Sequence, residues 1–116
     1  MPPSNGKYLT LEDIQQKVVL SGDVHKCPTR VIALENAISG LIYSLSETQR
    51  ISKWARENGL RIHLDGASLW EAVTAGAGSF RDYAQCFVSV ALEFSKGLGS
   101  PMGAVVVGDI DFIAWA

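Results

Sequence analysis

The chain has 116 residues, of which 47% are apolar and 19% charged, a balance that fits one globular domain and excludes a disordered one. Its net charge of -2 offers no basic excess for a nucleic-acid or acidic-membrane partner. Two cysteines, Cys27 and Cys86, cannot make a disulfide framework, and the chain shows neither a signal-peptide core nor a run of roughly 18 apolar residues, so the expectation is a soluble, cytoplasmic chain.

Taken in order, Thr10 ahead of Leu11, Glu12 and Asp13 predicts a capped helix reaching about Val19. RVIALE, residues 30–35, is a short β-branched run and reads as a strand. Ser44 with Glu47 makes a capping-box pattern, and the helix behind it should run to Asn58, with Gly59 as a left-handed C-cap. RIHLD, residues 61–65, is the second strand. Short helices are expected over 69–75 and 79–85. FVSVALEF, residues 87–94, is the third strand and residues 104–107 the fourth. The terminal DFIAWA breaks off within an apolar run, with no helix-end signal.

Alternating strands and helices predict an α/β fold with a mostly parallel sheet, flanked by helices and covered on both faces. The last connection has only about eight residues, too few for a parallel crossover. The fourth strand is therefore expected to pair antiparallel with the third.

In open parallel sheets, ligands bind outside the carboxyl ends of the strands. Here those ends deliver Glu35 and Asn36, Asp65 and Gly66, and Ser95 and Lys96 to one edge. Singly, each has an ordinary role: a turn, a helix cap, a solvated lysine. The stretch KGLGSPMG, residues 96–103, fails as a nucleotide phosphate loop, because its lysine precedes the glycines and a strand follows. No glycine fingerprint follows the first strand. His63 with Asp65, and His25 with Cys27, lack a third ligand at zinc spacing, so no metal is expected. What remains is a lysine amine beside an aspartate, the pair that pyridoxal phosphate requires. The lysine bonds the aldehyde, and the carboxylate keeps the pyridine nitrogen protonated.

Four segments, NGKYLTLEDIQQK, DVHKCPTRVIALEN, ISKWARENGLRIHLDGASLWEA and FSKGLGSPMGAVVVG, cover nearly the whole chain in order. Together they resemble the low-specificity threonine aldolases, with wording similar to the fungal branch. These are pyridoxal-phosphate enzymes of the aspartate-aminotransferase-like fold. The resemblance implies that Lys96 forms the Schiff base, that Asp65 partners the pyridine nitrogen, and that His63 and Ser95 lie at the cofactor. It implies cleavage of threonine or allo-threonine to glycine and acetaldehyde, an amino-acid substrate, and a homo-oligomer or a full-length relative as partner.

Several positions depart from the family pattern. Ser68 stands where HLDGAR has its arginine, which contacts cofactor and substrate in relatives. Ala37 replaces the threonine of ENT. Val88, Ala91 and Glu93 replace Asp, Ser and Cys, and Glu93 is expected to meet a desolvation cost in a strand covered on both faces. Family members are about three times longer. Residues 1–116 are thus expected to form an incomplete large domain, without the family's N-terminal segment and small C-terminal domain. Two alternatives accompany the aldolase reading: a truncated non-catalytic remnant, and an amino-acid racemase of the same family.

Overall fold

The computed structural model describes residues 3–20, 22, 25, 27–35, 37–38, 41–93 and 102–115. Helix α1 (Leu11–Lys17) opens on Thr10, whose hydroxyl accepts from the Asp13 N–H while the Asp13 carboxylate accepts from the Thr10 N–H. It stops two residues earlier than expected because Val18 is extended. Strand β1 (Val31–Glu35) is followed by a two-stranded antiparallel pair, β2 (Ala37–Ile38) and β3 (Leu41–Ile42), which the sequence pattern did not announce. Helix α2 (Leu45–Glu57) ends at Asn58, and Gly59 takes the expected left-handed conformation at φ +68°.

Strand β4 (Arg61–Asp65), helices α3 (Leu69–Thr74) and α4 (Phe80–Ala84), and strand β5 (Ser89–Glu93) follow. Strand β5 begins two residues later than its apolar run, because the Cys86 and Phe87 N–H groups still close the turn that leaves α4. Strand β6 (Ala104–Gly108) leads into α5 (Ile110–Trp115). This helix was not foreseen; its start is fixed by Asp109, whose carboxylate accepts from the Phe112 N–H at 2.8 Å.

The main sheet has the order β1-β4-β5-β6. The β1–β4 and β4–β5 pairs are parallel and β5–β6 is antiparallel, as the short connection between the last two strands required. Ile32 and Leu34 of β1, Ile62 and Leu64 of β4, and Val90 of β5 share one face and form the core with Ile51 and Ala55 of α2, Leu69 of α3 and Tyr83 of α4. Ile51, Ala55 and Tyr83 are fully buried.

The other face is open. Val31, Ala33 and Glu35 alternate outward on β1, as do Arg61 and Asp65 on β4, and all are exposed. The expectation of a sheet covered on both faces therefore holds for one face only. Strand β6 is exposed along its whole length. Glu93 is half-buried at the end of β5, on the open face, short of the full enclosure expected of a strand covered on both faces.

Two acidic side chains tie the amino-terminal segment down. The buried Asp13 accepts from the N–H groups of Thr10 and Ser4. Glu47 completes only half of the expected capping box: Ser44 Oγ accepts from the Glu47 N–H, but the Glu47 carboxylate turns to the Leu11 N–H at 2.7 Å and to Arg50 at 2.6 Å. It therefore joins α2 to the start of α1 instead of capping its own helix.

Ile51→Ala should lower stability by about 2–5 kcal/mol, read as a lower urea midpoint, because it empties a fully enclosed site. The Asp13 carboxyl is held below its ordinary range, first by the Thr10 N–H and then by Ser4. A group depressed in this way stabilises the fold above its unfolded pKa, and the contribution is lost as pH falls through the folded value. The thermal midpoint should therefore fall on acidification through the carboxylate range. Asp13→Asn should lower the neutral midpoint and flatten that fall.

Candidate cofactor-binding edge of the sheet

The site is built where β4 meets β5. In the parallel register His63 lies beside Ser89, Leu64 beside Val90, and Asp65 beside Ala91. On the other side Glu35 lies beside Asp65. Alternation along each strand then places His63, Asp65, Ser89, Ala91 and Glu93 on the open face, opposite the core residues Ile62, Leu64 and Val90. This is how one stretch, RIHLD, serves core and site together.

Asp65 ends β4 and is exposed. Its Oδ1 accepts from the Ala67 N–H at 3.1 Å, which fixes the carboxylate over the following turn. No donor among the described residues reaches its Oδ2. Gly66 sits against the neighbouring strand, and its N–H donates to the Ala91 carbonyl at 2.7 Å. A Cβ there would lie 2.7 Å from that oxygen and 3.1 Å from the Leu92 side chain. The position therefore admits glycine alone without backbone movement.

His63 is half-buried, and its Nδ1 lies 2.7 Å from Ser89 Oγ. Ser89 is buried, with 4% of its surface exposed. Strand identity alone does not reveal this pair. The alternation of SVALE marks Ser89, Ala91 and Glu93 as one face, but which residue of β4 each meets depends on the register.

Ser68 precedes α3 as its N-cap residue, half-buried and without a side-chain capping bond. Trp70, two residues on, donates from Nε1 to the Glu93 carbonyl at 3.0 Å and so pins α3 to the end of β5. Val88 is half-buried just before β5, and Ala37 lies in β2. Lys96 and Ser95, like Asn36, lie outside the described residues. The structure thus brings His63 and Asp65 together on one face, and Lys96 follows the last residue of β5 by three positions in the chain. A cleft of about 340 Å³ lies between α2 and α4, lined by Ser52, Arg56, Asp82 and Cys86 among others.

Gly66→Ala should cost about 1–3 kcal/mol through overpacking against the Ala91 carbonyl. The check is a lowered urea midpoint with an unchanged slope.

The beta-eliminating lyase family model matches residues 1–116. The low-specificity L-threonine aldolase of Candida albicans is 50% identical over 113 residues, which are 96% of this chain and 30% of that protein. Alanine racemase TOXG of Cochliobolus carbonum is 49% identical over 107 residues, 92% of this chain and 28% of that protein. The crystal structure of a putative L-allo-threonine aldolase from Listeria monocytogenes superposes with a TM-score of 0.79 at 27% identity, covering 98% of this chain and 30% of its own. The chain therefore spans about three tenths of the length of these relatives, and its fold is that of threonine aldolases. The match extends over every residue of the chain, which belongs to the beta-eliminating lyase family.

Proposed function

We propose that the protein carrying this chain is a pyridoxal-phosphate-dependent lyase that cleaves threonine or allo-threonine to glycine and acetaldehyde. The observation that carries the reading is the 50% identity to the Candida albicans aldolase across 96% of the chain. The edge of the sheet fits the cofactor by its donor set. Asp65 offers an exposed carboxylate with one oxygen held by the Ala67 N–H and the other without a donor among the described residues, which suits a protonated ring nitrogen.

When bound, pyridoxal phosphate supplies the electron sink for the pair released as the substrate Cα–Cβ bond breaks. The chain's own residues do the rest. Lys96 contributes the amine for covalent attachment. Asp65 holds the proton on the ring nitrogen, and the turn at Gly66 and Ala67 keeps its carboxylate in place. His63 and Ser95 are the other cofactor-binding residues of this reading. The substrate is a small amino acid, and the expected partner is a second copy or a longer relative. Among the described residues no helix is long and apolar enough to cross a membrane, and both cysteines are free, which accords with a cytoplasmic location.

A second reading is favoured by one observation, the 49% identity to alanine racemase TOXG. Ser68, in place of the arginine expected from the aldolase motif, is the natural position for a changed carboxylate contact.

The protein incubated with pyridoxal phosphate should develop an absorbance band near the visible edge. Lys96→Ala should abolish the band, and Asp65→Ala should weaken it. Glycine formed from threonine, without D-alanine from L-alanine, supports the aldolase; the reverse supports the racemase. A band-free protein with neither activity would be the non-catalytic remnant.

A further inference from the structure

The hydrogen bond between Ser89 and His63 is not used by any role assigned above. The two residues are register partners on adjacent parallel strands, so their side chains emerge side by side. Ser89 is enclosed because Gly108, its partner on β6, lies under the Phe112 ring: a Cβ on Gly108 would stand 2.7 Å from that ring. Among the described residues the Ser89 hydroxyl has His63 Nδ1 as its side-chain partner. The imidazole Nε2 then remains as the ring's second polar atom.

The charges on this face decide what that atom must be. Among the described residues, carboxylates dominate the edge toward which β4 runs: Glu35, Asp65 and Glu93. Arg61 is the cation at the opposite end of β4. On a face that carries these three carboxylates, a ring nitrogen gains more as a donor than as an acceptor. His63 and Asp65 are two residues apart on one face; their backbones stand about 6.6 Å apart along the strand, and an imidazole and a carboxylate that lean toward each other close this to the ~5 Å that one water spans.

We propose that Ser89 is a positioning residue that donates to His63 Nδ1. It thereby fixes the proton on Nε2 and presents a donor, through one water, to the open Oδ2 of Asp65. Ser89, His63 and Asp65 form a chain that orients the carboxylate meant for the cofactor nitrogen. The proposal rests on the pyridoxal-phosphate reading for its purpose, but not for its geometry.

The test is 15N NMR of the ring nitrogens in histidine-labelled protein, without added cofactor and at a pH where the ring is neutral. His63→Gln identifies the His63 signals against those of His25. The wild type should show the Nε2–H tautomer in excess. Ser89→Ala should reduce that excess by roughly fivefold, the worth of one neutral hydrogen bond. Ser89→Cys, nearly isosteric and a weak donor, should behave like Ala. Asp65→Asn should also reduce the excess. A wild-type ring protonated on Nδ1, or a ratio unmoved by the Ser89 or the Asp65 variants, overturns the proposal. The wild-type measurement decides even where a variant fails to fold. With pyridoxal phosphate then added, absence of any band in the wild type defeats the cofactor reading while leaving the tautomer result to stand on its own.

Discussion

The contact on which the rest of the site depends is the one between Gly66 and the Ala91 carbonyl. It locks the end of β4 against β5 at a separation that no side chain tolerates. With that contact in place, the parallel register follows residue by residue. A slip by one position would send His63 and Asp65 into the core and turn Ile62 and Leu64 outward. The apolar half of β4 opposes such a slip, because Ile62 and Leu64 are almost wholly buried against α2 and its neighbours. Packing on one face thus fixes chemistry on the other.

Much of this was legible in the sequence. The caps of α1 and α2, the left-handed Gly59, the four main strands and the antiparallel turn of the last one all follow from local patterns and from the length of one connection. Asp65 as a strand-end carboxylate was legible for the same reason. What was not legible depends on distance in space. Glu47 reads as a capping residue of α2, but its carboxylate joins α1, 36 residues away. Ser89 reads as a small strand residue until the register sets it beside His63. The helix α5 was hidden because Asp109, its anchor, follows directly on a strand.

The coverage of the sheet departed most from expectation. An alternating order of strands and helices predicts helices on both faces. Here the described helices α1 to α4 gather on the side of Ile32, Leu34, Ile62 and Leu64, and α5 reaches the other side only near Gly108. This is a unit about three tenths the length of its relatives. Its alternation was read correctly as parallel pairing, but pairing and covering are separate properties: the first is a matter of backbone hydrogen bonds, the second of which side chains find an apolar partner.

The one-sided core has a consequence for how the chain tolerates change. Within β1, Ile32 and Leu34 answer to the interior, whereas Val31, Ala33 and Glu35 answer only to whatever lies over the open face. The two sets interleave residue by residue and carry independent constraints. A library that randomises Val31, Ala33 and Glu35 would reshape the floor beside Asp65 while the fold, held from beneath by Ile32 and Leu34, stays intact. The strand is in that sense a two-sided substrate for selection, with folding read from one side and chemistry from the other.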